Sequence, residues 1–184
     1  MMPLKSSCAP RGVDAGAGRR LLFFLAALSL LFSGCAYHVA GKAGKMPGGI
    51  TRLSIPMFTN STRKPDIEAV LTNTFINEFI TTVTVVSDAD AVMQGNIIGY
   101  DIKTASYTGA DVTQEYRLTV VYSIRIYLAS DGTTLWEDGN ITDYEDYKVN
   151  PNDVSATKEA EAVAFLKISK DTSRLIKERM LENF

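Results

Sequence analysis

Residues 112–128 read VTQEYRLTVVYSIRIYL, and this stretch decides the fold class. Val112, Tyr116, Leu118, Val120, Tyr122, Ile124, Ile126 and Leu128 fall at even positions, with Gln114 the exception. The odd positions carry Thr113, Glu115, Arg117, Thr119, Ser123 and Arg125, broken by Val121 and Tyr127. Side chains alternate across a strand, so a period of two over this length predicts one buried and one wetted face. That is the habit of antiparallel sheets. Asp131-Gly132 comes next, a hairpin signal because glycine tolerates positive φ. Thr133 to Tyr147 then returns as the partner strand, with Leu135, Trp136 and Ile141 as its apolar members.

Upstream, Ala91 to Ser106 predicts another long strand, with Ile98, Tyr100 and Ile102 on one face and Gly99, Asp101 and Lys103 on the other. Residues 108–111 turn the chain between the two. Thr82 to Ser87 is short and β-branched, which favours a strand. Before it, Ile67, Val70, Leu71, Phe75 and Phe79 recur at spacings of three and four, one stripe of an amphipathic helix. Pro65 suits the first helical position, and Asp66 and Glu68 suit the positive end of the dipole. Ile50 to Phe58 predicts a first strand that ends near Pro56. Downstream, Asn150-Pro151-Asn152-Asp153 breaks the sheet, and Asn152, Asp153 or Ser155 serves as N-cap of a last helix. Its stripe is Ala160, Ala164, Ile168, Thr172, Leu175 and Arg179, widened by Phe165, Ile176 and Met180. The order strand, helix, four strands, helix predicts an α+β fold. Its simplest form is a two-layer sandwich, a mixed and mostly antiparallel sheet with two helices packed on one face.

The N-terminus carries a different signal. Lys5, Arg11, Arg19 and Arg20 precede an apolar run from Leu21 to Phe32, interrupted by Ser29 alone. A dozen residues are too few to span a bilayer core of roughly 30 Å. A basic leader, a short apolar stretch and the small residues Ser33 and Gly34 predict a secretory signal peptide over 1–34. Cys35 follows at once, and Leu31-Phe32-Ser33-Gly34-Cys35 is similar to the bacterial lipobox, with Phe32 where Leu is usual. Residues 35–49 are then a lipidated N-terminus and tether, and 50–184 a single domain. Cys8 leaves with the leader, so Cys35 is the lone mature cysteine and no internal disulfide forms. Ala36 after it, in place of Asp, favours the outer membrane, with the domain on the periplasmic side.

Cleavage before Cys35 leaves 150 of 184 residues, and the mature chain holds 15 basic and 20 acidic residues, a net charge of about −5. That balance argues against non-specific nucleic-acid binding. Enzymatic motifs are missing. The one histidine, His38, lies in the tether, and there is no Gly-rich phosphate loop, no Gly-x-Ser-x-Gly and no His-Glu-x-x-His. Glu137/Asp138 and Asp143/Glu145/Asp146 are carboxylate clusters without the contrasting environments that acid–base work requires. Asp88 and Asp90 lack calcium-loop spacing and belong to a turn. The sequence therefore predicts a non-enzyme with no metal and no dissociable cofactor. Its one attached group is covalent, the diacylglycerol and N-acyl lipid on Cys35.

Five stretches carry a resemblance. They are Cys35 to Gly41, Lys45-Met46-Pro47, Ile50 to Thr62 (ITRLSIPMFTNST), Lys64-Pro65-Asp66-Ile67-Glu68 and Leu71-Thr72-Asn73. Together they resemble the LptE family of lipopolysaccharide-assembly lipoproteins. The family pattern is Cys-Gly-Tyr, Leu-Pro, Ile-x-Ile-Pro-x-Phe-x-Asn-x-Thr and Pro-Gly-Leu-Glu. Ala36, Met46 and Asp66 are departures from it, and the resemblance is specific over residues 35–80. It implies a non-catalytic outer-membrane lipoprotein that complexes with and plugs an LptD-type β-barrel, helping lipopolysaccharide into the outer leaflet. Lipopolysaccharide carries phosphates, so its contacts should be basic. Lys103, Arg117 and Arg125 on predicted strand faces are the candidates by charge alone. Arg117 and Arg125 are eight residues apart, roughly 26 Å along a strand, too far for one phosphate. The alternative is a periplasmic accessory lipoprotein of the CsgG or LpoB type, activating other envelope machinery.

Overall fold

The computed structural model describes residues 45–107 and 113–182. The leader, Cys35, His38, most of the tether and the 108–111 turn lie outside the described residues. Six strands and two helices follow in order: β1 Arg52–Ser54, β2 Thr59–Asn60, α1 Ile67–Phe79, β3 Thr84–Val85, β4 Ala91–Tyr107, β5 Thr113–Leu128, β6 Thr134–Lys148 and α2 Val154–Glu182. All six strands form one mixed sheet in the order β3-β1-β4-β5-β6, with β2 also on β4. The β4-β5-β6 meander is antiparallel, whereas β1, β2 and β3 pair parallel. The α+β sandwich expected from the pattern of elements is the fold observed.

The alternation of β5 is realised directly. Leu118, Val120, Tyr122, Ile124 and Ile126 are all fully buried. Their neighbours on β4 are Ile102, Tyr100, Ile97, Gly95 and Met93, and on β6 Glu145, Asp143, Ile141, Asp138 and Trp136. Ile67, Leu71, Phe75 and Phe79 of α1 and Ala164, Phe165, Ile168, Ile176 and Met180 of α2 complete the core. Fully burying one such side chain contributes about 1.5–3 kcal/mol. Lys64, just before α1, pairs with Glu161 near the start of α2, and Glu78 at the end of α1 pairs with Lys177 near the end of α2, so the two helices run side by side in the same direction.

Five expectations change. On β4 a bulge between Ile97 and Gly99 turns Ile98 away from the face it was to share with Tyr100. The first strand does not run from Ile50 to Phe58; it splits into β1 and β2 around Pro56, which has no N–H to give a ladder. The Phe58 N–H that is left over donates to Thr72 Oγ1 on α1 at 3.0 Å. Pro65 is not the first helical residue, because α1 starts at Ile67 after Asp66 turns through left-handed φ 65°. β3 shortens to two residues, since a parallel edge strand has only β1 to bond. On α2, Thr172 is buried as expected, but Leu175 is 40 % exposed and Arg179 faces out, while Glu161, Ser169 and Ser173 take places in the buried stripe. The α2 N-cap is Asp153, whose Oδ1 accepts the N–H groups of Ser155 and Ala156 at 2.9 and 3.0 Å. At the hairpin, Gly132 has φ 75°.

Candidate functional site

The side chains opposite the helices build the first candidate surface. Odd positions of β5 point there, and no described helix covers them. Lys103 and Arg117 are direct cross-strand partners, and Arg117 is in turn opposite Asp146. Register thus brings together two of the three cations that charge alone nominated. Arg125 sits one hairpin end away, against Glu137, as its eight-residue separation from Arg117 requires.

Each cation is already engaged. Arg117 grips Asp146 with both arms, Nε to Oδ1 at 2.7 Å and Nη2 to Oδ2 at 2.8 Å. Its guanidinium also lies 4.4 Å from the centre of the Tyr144 ring. These hydrogen bonds hold the Asp146 carboxyl below its ordinary value and raise that of Arg117. Lys103 Nζ pairs with Asp101 at 2.8 Å, which raises its own affinity for the proton. Arg125 donates to Thr134 Oγ1 and the Gly132 carbonyl, and stands over Tyr127. The open face is therefore a charge-balanced lattice of Asp101, Lys103, Arg117 and Asp146. An anion arriving there must share Lys103 and Arg117 with two carboxylates.

The clustered carboxylates of β6 are explained by the helix. Asp143 accepts from Thr172 at 3.0 Å, Glu145 pairs with Lys167, and Asp138 pairs with Arg179 at 3.2 Å. They dock α2, whereas Asp146 and Glu137 lie opposite Arg117 and Arg125 on the open face. Among the described residues no group of three or more His, Cys, Asp or Glu is placed to hold a metal, and no helix is long and apolar enough to cross a membrane. Asp88 lies in the bend before β4, where its carbonyl accepts from Arg52.

The residues of the Phe-x-Asn-x-Thr and Pro-Asp-Ile-Glu motifs prove to be scaffold. Asn60 Nδ2 donates to the Lys64 carbonyl at 2.7 Å and to Glu68 Oε2 at 2.9 Å. Asn60 Oδ1 accepts from the Thr62 N–H and hydroxyl at 2.9 and 2.7 Å. One amide thus closes the loop and pins it to α1. Lys64, at the loop's end, and the Tyr100 hydroxyl both donate to Glu161 Oε1, at 2.7 and 2.6 Å. Burial and the adjacent Glu161 carboxylate push the Tyr100 phenol far above its ordinary value, so it stays a donor. This triad ties the motif loop, β4 and α2 together. Sequence reasoning did not find it, because Lys64 and Glu161 are 97 residues apart.

Comparison with known proteins follows the same residues. A family model described as LptE, lipopolysaccharide-assembly, matches residues 50–180. No curated protein matches the chain. A crystal structure of a protein from Xanthomonas campestris is similar with a TM-score of 0.51 at 11% identity, covering 71% of this chain and 83% of that one. A rare lipoprotein B from Shewanella oneidensis is similar with a TM-score of 0.47 at 16% identity, covering 72% and 95%. A minor lipoprotein from Acinetobacter baumannii gives 0.47 at 16% identity, covering 73% and 92%.

Proposed function

Since the chain belongs to the LptE family of lipopolysaccharide-assembly proteins, we propose that it is a non-catalytic outer-membrane lipoprotein that complexes with and plugs an LptD-type β-barrel. In that place it assists the delivery of lipopolysaccharide to the outer leaflet. The observation that carries this reading is the family match over residues 50–180, which takes in every strand and nearly all of both helices. The fold is compatible with a plug, because a sheet backed by two helices gives a firm core and a polar open face.

On this reading residues 1–34 are removed as a signal peptide, and Cys35 carries the diacylglycerol and N-acyl lipid that hold the domain on the periplasmic side of the outer membrane. Residues 35–49 are the tether. Lys103 and Arg117, neighbours on the open face, are the paired candidates for a lipopolysaccharide phosphate, and Arg125 is a separate one. Affinity purification of the tagged lipoprotein from outer membranes tests the partner. Co-purification of a large integral β-barrel supports it, and recovery of a cell-wall synthase in its place refutes it. Mass spectrometry of the mature N-terminus tests the anchor, which an unmodified Cys35 thiol would remove. Lipopolysaccharide affinity unchanged in Lys103→Ala and Arg117→Ala would dismiss those contacts.

A further inference from the structure

On the outer side of the helical layer, α1 and α2 leave between them a groove of about 400 Å³. Val70, Asn73, Thr74, Asn77 and Glu78 line it from α1, and Leu166, Lys170, Ser173 and Arg174 from α2. The charges here are unlike those of the open sheet face. Glu78 is the one acid in the lining, and Lys177 neutralises it. Lys170 and Arg174 are exposed and have no ion partner or hydrogen bond from their charged groups among the described residues. Asn73 and Asn77 are likewise exposed, and among the described residues their amides make no hydrogen bond. In a domain that is acidic as a whole, this groove carries two uncommitted positive charges beside two uncommitted amides.

Spacing decides what fits. Lys170 and Arg174 are four residues apart on one helix, and Asn73 and Asn77 four apart on the other. Four residues rise about 6 Å along a helix. An extended peptide repeats its same-side groups about every 6.6 Å. We propose that the α1/α2 groove is a docking site for an extended acidic segment of a partner protein. Carboxylates at positions n and n+2 of that segment meet Lys170 and Arg174. Its backbone meets the amides of Asn73 and Asn77, each of which can both donate and accept. A small apolar side chain covers Val70 and Leu166, which are 36 % and 39 % exposed. The two amides match the alternating N–H and C=O groups of an extended peptide backbone, whereas a fully ionised phosphate group by itself offers only acceptors. The proposal rests on the reading that the chain works in complex with another protein, without needing that partner to be a particular barrel.

The test uses the mature lipoprotein in its own membrane, with a photo-crosslinking residue at Asn77 and the crosslinked peptide sequenced. The expected product is a peptide with two Asp or Glu side chains two residues apart. In the K170E/R174E background its yield should fall at least tenfold, while the thermal midpoint of the chain is unchanged because both side chains are exposed. Crosslinks to lipid, to a peptide without that acidic pair, or with a yield indifferent to the charge reversal would each overturn the proposal. Purification of the same variants separates the two ideas. A barrel recovered with wild type and K170E/R174E alike, together with a crosslink elsewhere, removes the groove and leaves the proposed function standing.

Discussion

Gly95→Ala gives the sharpest test of how the sheet and α1 are joined. A Cβ added at Gly95 would lie 2.5 Å from Phe58 Cδ2 and 2.6 Å from both Cε2 and Cγ. Carbon contacts are comfortable at about 3.5–4.0 Å, so ring or strand must retreat by roughly 1 Å. Neither has room. The Phe58 ring meets the Phe75 ring edge-on at 5.1 Å, and Phe75 is stacked on Phe79 at 6.1 Å. The Phe58 backbone is also held, through its N–H on Thr72. Overpacking a tight core costs about 1–3 kcal/mol, and a clash with both sides fixed belongs at the top of that range, ~3 kcal/mol.

Against a typical stability of about 5–15 kcal/mol this is a large fraction. With a urea slope of about 2 kcal/mol/M, the unfolding midpoint should drop by about 1.5 M. Gly139→Ala is the control: it is also on the sheet, and an added Cβ meets nothing within 4 Å. It should be neutral or slightly stabilising, since alanine restricts the unfolded chain. Adding Phe58→Leu to Gly95→Ala should restore part of the loss, because the smaller side chain yields the space. A Gly95→Ala unfolding free energy within about 0.5 kcal/mol of wild type would refute the reasoning.

Other substitutions probe other parts of the account. Asp66→Gly should stabilise the domain by about 0.5–1 kcal/mol, because a left-handed turn disfavours side chains with a Cβ; a loss of stability in chemical denaturation would contradict the role given to φ at Asp66. Tyr122→Phe should cost less than about 0.5 kcal/mol, or stabilise, because it removes a buried polar group without a partner. The Tyr122 hydroxyl is buried with no hydrogen-bond partner among the described residues, while Ser169 and Thr172 spend theirs on the Phe165 carbonyl and Asp143. A destabilisation of about 1.5 kcal/mol, the upper end for a made hydrogen bond, would show a partner at that hydroxyl. High pH should unfold the domain. Burial, and after it the Glu161 charge, pushes the Tyr147 phenol up to about 12, and burial raises Tyr122 as well. The folded state then holds protons that the unfolded chain releases near pH 10, so stability is full below about pH 10 and falls as pH rises through the folded value. A melting temperature that stays level from about pH 9.5 to 11.5 would contradict this.

What could be read from the sequence followed the local physics. The even positions of β5, the α1 stripe and the hairpin glycine depend on neighbours a few residues away, and they stood, except that Val70 of the stripe is exposed. The failures involve distant partners. β4 buries Ala91, Met93, Gly95 and Ile97 at odd positions, then passes a bulge between Ile97 and Gly99 and presents Tyr100 at an even one, which leaves Ile98 exposed. No period of two survives such an insertion. The parallel placement of β1 and β3 also carries no local signature. At Asp66 the sequence held a clue that only geometry explains: the family pattern has glycine there, and the backbone turns left-handed.

The candidate sites divide in the same way. The separation of Arg117 from Arg125 followed from strand period alone. That Lys103 lies beside Arg117, and that Asp101 and Asp146 neutralise them, depends on register between strands. Nothing in the sequence sets Lys170 and Arg174 apart from other charges on the last helix. Their interest comes from having no ion partner among the described residues, on a helix where Lys167, Lys177 and Arg179 all have one. Pairing is a property of the folded chain and cannot be counted from composition.

Depleting the chain from growing cells and following newly made, labelled lipopolysaccharide tests the central claim most directly. The account predicts that label accumulates on the periplasmic side and that its appearance at the cell surface falls, with recovery when the wild-type lipoprotein is restored. Surface arrival at an unchanged rate in cells that have lost the chain would contradict it.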